Sequence, residues 1–132
     1  MDEIQAAILS VKLKHLDVWN ARRKEVVLVY EENLEASFGS KPLPDSEEIE
    51  SSWHLYCIRC CEDRDGVIKK LDSMGIQNSV HYPFAPHQCG AYRENNFTQD
   101  QLENASKLAR SLVSLPIGPH LDSLLLKGFL AK

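Results

Sequence analysis

Trp53-His54-Leu55-Tyr56-Cys57-Ile58-Arg59-Cys60 is rich in aromatic and β-compatible side chains and holds no glycine or proline, which reads as a strand. Just after it, Asp63 or Asp65 can cap a helix running to Met74. Val67, Ile68, Leu71 and Met74 make the apolar stripe of that helix, and Gly75 supplies its stop. Ile76 to Tyr82 then reads as a second strand. Strand, helix and strand at this spacing form one compact α/β unit.

The unit runs directly into His81-Tyr82-Pro83-Phe84-Ala85-Pro86-His87. Each proline fixes its own φ, removes a donor and holds the preceding residue extended. The strand must therefore end here, leaving two histidines and a tyrosine at a strand exit. Ligand sites on α/β scaffolds are commonly built at such exits. The plainer alternative is a rigid loop with solvated histidines.

Outward toward the N-terminus, residues 2–34 read as one long helix, uninterrupted by glycine or proline until Gly39. Leu9, Leu13, Leu16, Val27, Tyr30 and Leu34 share a stripe, with Ile4, Ile8 and Val11 beside it. Such a helix would be about 50 Å long, against a domain diameter of about 26 Å. It must bend near Asp17–Asn20 or project. Turn chemistry at 37–45 and the acidic run Glu47-Glu48-Ile49-Glu50 read as a linker. Toward the C-terminus, Thr98-x-x-Gln101 is a capping box with Phe97 and Leu102 as its staple. The helix that follows presents Leu102, Ala105, Ala109 and Leu112, then gives way to a short edge strand ended by Pro116. A last helix is expected over Leu121 to Lys132, with Asp122 near its start. The expected organisation is one structural unit: a leading helix over 1–36, a linker over 37–52 and a small α/β domain over 53–132. The fold class is α/β (α+β), a long helix followed by about three strands with helices on one face.

The 132 residues, 43% hydrophobic and 26% charged, suit one globular domain. A formal charge of −4 gives no basic stripe, so nucleic acid is not an expected partner. No apolar run is long enough to span a bilayer, and Met1-Asp2-Glu3-Ile4-Gln5 does not have the pattern of a secretory signal. The cytoplasm is the expected compartment. Cys57 and Cys60 with His81 and His87 invite a zinc reading, but residues three apart in a strand point to opposite faces. No metal site is expected. There is no phosphate-binding glycine loop and no Gly-x-Ser-x-Gly elbow. Cys89 and His87, two apart in a loop, make a poor nucleophile–base pair. His54, inside the first strand, reads as a hydrogen-bonded structural histidine. The residues offer no complete catalytic set.

Four segments, in order, carry a resemblance. They are Asp2-Glu3-Ile4-Gln5-Ala6-Ala7-Ile8-Leu9 continuing through Trp19-Asn20-Ala21-Arg22-Arg23, then Ser52-Trp53-His54-Leu55-Tyr56, then His81-Tyr82-Pro83 with Pro86-His87, and finally Leu115-Pro116-Ile117-Gly118-Pro119-His120-Leu121. Together they cover nearly the whole chain and resemble the C-terminal segment of the DegT/DnrJ/StrS sugar aminotransferases. The resemblance implies the small domain of a fold type I PLP aminotransferase. In that family a large domain supplies the Schiff-base lysine and the partner of the pyridine nitrogen. The active site lies at a homodimer interface, and an amino group passes, usually from glutamate, to a nucleotide-linked keto sugar.

The serine-aromatic-x-x-x-lysine context of the Schiff-base lysine is absent from these residues. By resemblance the chain is therefore expected to be inactive alone and to hold no PLP by itself. It would be a fragment, a truncated product or one half of a split enzyme. Its expected partners are a second copy or a separately encoded large PLP domain, with nucleotide sugar bound only in an intact enzyme. His81, Tyr82 and His87 are the implied substrate-binding residues. The alternative is a non-catalytic interaction domain descended from the same fold.

Overall fold

A computed structural model describes residues 1–42, 49–61, 63–95 and 101–130. Two helices open the chain where one long helix is expected: α1 (Glu3–Leu13) and α2 (Leu16–Asn33). The break falls at Lys14 and His15, before the expected bend. His15 donates its backbone N–H to Lys12 O at 3.0 Å, and its ring stacks on Trp19 at 5.8 Å. The reason lies in burial. The core reaches Val26, Val27 and Tyr30 of α2 but no residue of α1. A continuous rod would gain no burial over the interrupted one, so nothing fixes its axis.

Strands β1 (Tyr56–Arg59) and β2 (Leu112–Leu115) pair antiparallel, Tyr56 opposite Leu115 and Cys57 opposite Ser114. Alternation places Tyr56, Ile58, Val113 and Leu115 on the core side, all 3% exposed or less. Cys57 and Ser114 share the other face. Val26, Val27, Tyr30, Leu34, Phe38, Trp53, Cys60, Leu71, Ile76, Leu126 and Leu130 complete the core, so α2, α3 (Arg64–Ser73) and α5 (Ser123–Leu130) all contribute.

The strand expected over Ile76 to Tyr82 is reduced to one bridge. Ser79 and Ser114 exchange backbone bonds of 3.1 and 2.8 Å. The helix stop explains the loss. Gly75 sits at φ +73°, and its N–H and that of Ile76 bond back to Asp72 O and Leu71 O. That is a Schellman closure, and it takes the Ile76 donor a ladder would need. On the opposite edge Ser40 bridges Arg59 in the same way.

Of the capping box expected at Thr98-x-x-Gln101 with its Phe97–Leu102 staple, Phe97 and Thr98 lie outside the described residues. Helix α4 (Glu103–Ser111) begins after a turn at Gln101–Leu102. Asp122 caps α5, its Oδ1 accepting from Leu124 N at 2.8 Å and Leu125 N at 3.2 Å. Among the described residues no helix is long and apolar enough to cross a membrane.

Candidate functional site

The bridge at Ser79 delivers the loop. His81 follows two residues later, on the side of the sheet that carries Ser114 and Cys57. Its Nδ1 lies 2.9 Å from Ser114 Oγ, and the Cys57 sulfur lies 3.2 Å from the same oxygen. Ser114 is 4% exposed, a polar residue placed in a buried strand and engaged from both sides. The His81–Tyr82 peptide is cis. Tyr82 stands 75% exposed beside the histidine, the two rings edge to face at 5.8 Å.

His81 and Ser114 line a groove of about 490 Å³ together with His54, Asp72, Asn78 and Pro116. Asn78 donates from Nδ2 to Asp72 Oδ1 at 2.8 Å, which fixes one polar edge of the groove. Below the groove, Tyr30 donates its hydroxyl to Pro116 O at 2.8 Å and stacks on Tyr56 at 4.8 Å. Tyr56 in turn donates to Glu31 Oε1 at 3.0 Å. Burial holds both phenols well above their ordinary range, and for Tyr56 the nearby Glu31 carboxylate adds to the effect.

Of the three candidate site residues, the structure brings His81 and Tyr82 together and sends His87 elsewhere. His87 lies in the short helical turn Pro86–Gln88, and its Nε2 is 3.0 Å from Ser106 Oγ on α4. Ser106 is buried, and Gln88 reaches the same hydroxyl at 3.4 Å. Gln88 also accepts the backbone N–H of Ala85 at 2.9 Å, so this half of the loop is tied to itself and to α4.

His54 corrects its sequence reading. It precedes β1, is exposed, and lines the groove, where a structural histidine inside the strand was expected. Nothing in the sequence marks Asp72 or Asn78 as a site residue, and little marks Ser114. For Ser114 the available signal was a hydroxyl in the middle of the apolar run Leu112–Leu115. The zinc set is dispersed as well. Cys57 faces Ser114, Cys60 is buried, and among the described residues no cluster of three or more such side chains could hold a metal ion.

The DegT/DnrJ/EryC1/StrS aminotransferase family matches residues 1–126. The chain belongs to that family. The erythromycin biosynthesis sensory transduction protein EryC1 of Saccharopolyspora erythraea is 42% identical over 92% of this chain and 33% of its own length. The dTDP-3-amino-3,4,6-trideoxy-alpha-D-glucose transaminase of Streptomyces venezuelae is 38% identical over 92% of this chain and 32% of its own. Among solved structures, S. venezuelae DesV in complex with a ketimine intermediate superposes with a TM-score of 0.87. It is 36% identical, over 98% of this chain and 36% of DesV. Spr1654 of Streptococcus pneumoniae, solved in apo, PMP and PLP forms, superposes at 0.82 with 26% identity, over 98–99% of this chain and 34% of its own. The chain thus spans about a third of the length of these relatives.

The family's cofactor does not fit the groove. Among the described residues no lysine or arginine lines it, and the one carboxylate among them, Asp72, would oppose a phosphate. A Schiff base to PLP needs an amine and its phosphate needs cationic or backbone N–H donors, and this wall presents imidazoles, amides and hydroxyls instead.

Proposed function

We propose that this chain is the C-terminal small domain of a nucleotide-sugar aminotransferase. It forms one wall of the substrate site and is inactive until joined to a PLP-binding large domain. The amino group would pass from glutamate to a keto sugar carried on a nucleotide. The observation that carries this reading is the superposition on DesV across 98% of the chain at 36% identity. The named sugar transaminase among its sequence relatives supports the substrate class.

Within that reading His81 and Tyr82 contact the substrate. An imidazole N–H can donate to a sugar oxygen, and an exposed phenol ring can cover a sugar or base face. His87 holds the loop on α4 through Ser106. The exposed stripe of α1 gives a specific reason for the rest of the enzyme, or a second copy, to lie against this chain.

The test is an exchange. This chain replaces the matched third of the S. venezuelae transaminase, and amino transfer between dTDP-3-amino-3,4,6-trideoxy-alpha-D-glucose and 2-oxoglutarate is followed. The expected result is measurable turnover that falls about tenfold in kcat/KM with His81→Ala, the loss of one hydrogen bond to substrate. A folded, PLP-loaded chimera with no turnover would overturn the proposal.

A further inference from the structure

We infer that Ser114, seated by Cys57, is a positioning residue that fixes the tautomer of His81. The ring then offers Nε2–H to an uncharged, hydroxyl-bearing part of a ligand in the groove. Ser114 Oγ has a single proton and two neighbours, the His81 Nδ1 at 2.9 Å and the Cys57 sulfur at 3.2 Å. A thiol sulfur is a weak acceptor, whereas an unprotonated imidazole nitrogen is a good one. The serine proton therefore goes to Nδ1, and the thiol donates to the serine oxygen. In the neutral ring an accepting Nδ1 leaves the proton on Nε2.

The parts hold one another in place. Cys57 and Ser114 are direct cross-strand partners, and Ser114 is also the backbone partner of Ser79, which sets where His81 begins. Among the described residues His81 Nε2 has no hydrogen-bond partner, and the ring lines the groove. The groove's other polar groups include the Asp72–Asn78 pair and His54, with no lysine or arginine among the described residues of the wall. Carboxylate, amide and imidazole groups without a cation suit neutral hydroxyls. A diphosphate would meet a carboxylate and no compensating charge. The choice of a sugar as ligand rests on the function proposed above; the tautomer does not.

Long-range proton–nitrogen NMR on the 132-residue chain at a pH where the ring is neutral reads the tautomer directly, with His81→Gln used for assignment. The expected pattern for His81 is a single Nε2–H form. Ser114→Ala should convert it to a mixture of both forms, and Ser114→Thr, which keeps the hydroxyl, should restore it. A wild-type ring that is mixed or protonated at Nδ1, or a Ser114→Ala ring unchanged from wild type, would overturn the positioning role. Amide shifts are then followed with methyl β-D-glucoside and, separately, with inorganic pyrophosphate. Shifts at Asn78 and His81 are expected with the glucoside and weaker ones with pyrophosphate. No glucoside response there, or a stronger pyrophosphate response, would overturn the ligand class. Neither readout depends on turnover, so a failed chimera and a failed tautomer remain distinguishable.

Discussion

Tyr30 shows how single residues tie core to site. It is fully buried, stacks on Tyr56, and donates to Pro116 O beside the groove. Tyr30→Phe removes that donor and leaves a carbonyl unpaired, so a loss of about 1–2 kcal/mol is expected in urea unfolding. The same burial makes a pH prediction. Both phenols are raised in the folded state, so the folded chain keeps protons that the unfolded chain releases from about pH 10 upward. Their contribution is fully present below that pH and declines as pH rises above it. Denaturation midpoints measured at pH 8 and pH 11 should fall with pH, and less steeply in Tyr30→Phe. Equal slopes for wild type and variant would count against it. Ser106 and Ser114 make the corresponding point about sequence. Each is a hydroxyl within an apolar pattern, and each is buried against a loop histidine. The pattern shows that such a hydroxyl needs a partner; only the fold shows which.

At the scale of elements, the strand–helix–strand reading survives in its first two parts and fails in its third. A cap at Asp63 or Asp65, the stripe of α3 and the stop at Gly75 are all legible because each is a local signal, and the structure takes Asp63 as the cap. Whether Ile76 onward pairs as a ladder depends on where the Ile76 N–H goes, and composition carries no trace of that. The two glycines with positive φ separate two kinds of constraint. At Gly75 a Cβ would meet only the Phe129 ring at 3.9 Å, so Gly75→Ala should cost the backbone penalty alone, about 1–2 kcal/mol. At Gly39, φ +140°, a Cβ would lie 2.3 Å from Arg59 O, inside the bridge that Ser40 makes to β1. Gly39→Ala should therefore cost about 3 kcal/mol or more. Urea midpoints of the two variants side by side decide it, and equal losses would mean that the Ser40 bridge yields freely.

On the scale of the molecule, α1 is the element without a core. Ile4, Ile8, Leu9, Val11 and Leu13 are all more than half exposed. The long apolar pattern was legible in the sequence, but what would cover it was not, because a stripe looks the same whether its partner lies in the chain or outside it. Removing residues 1–13 should leave the unfolding free energy within about 0.5 kcal/mol of the full chain. It should also shift sedimentation of a self-associated species toward monomer. A large loss of stability on truncation, or a full chain that is strictly monomeric with α1 protected from amide exchange, would contradict this assignment of α1 to an interface.

The groove wall itself raises the larger matter of cofactor chemistry, since the family is PLP-dependent and the described residues of this wall offer PLP neither amine nor cation. The direct measurement is to incubate the chain with PLP, reduce with borohydride, and locate the label by peptide mass spectrometry. Labelling should be substoichiometric and spread over exposed lysines. One lysine labelled stoichiometrically, with the label lost on its single substitution, would contradict the assignment of this chain to the substrate wall of a larger enzyme.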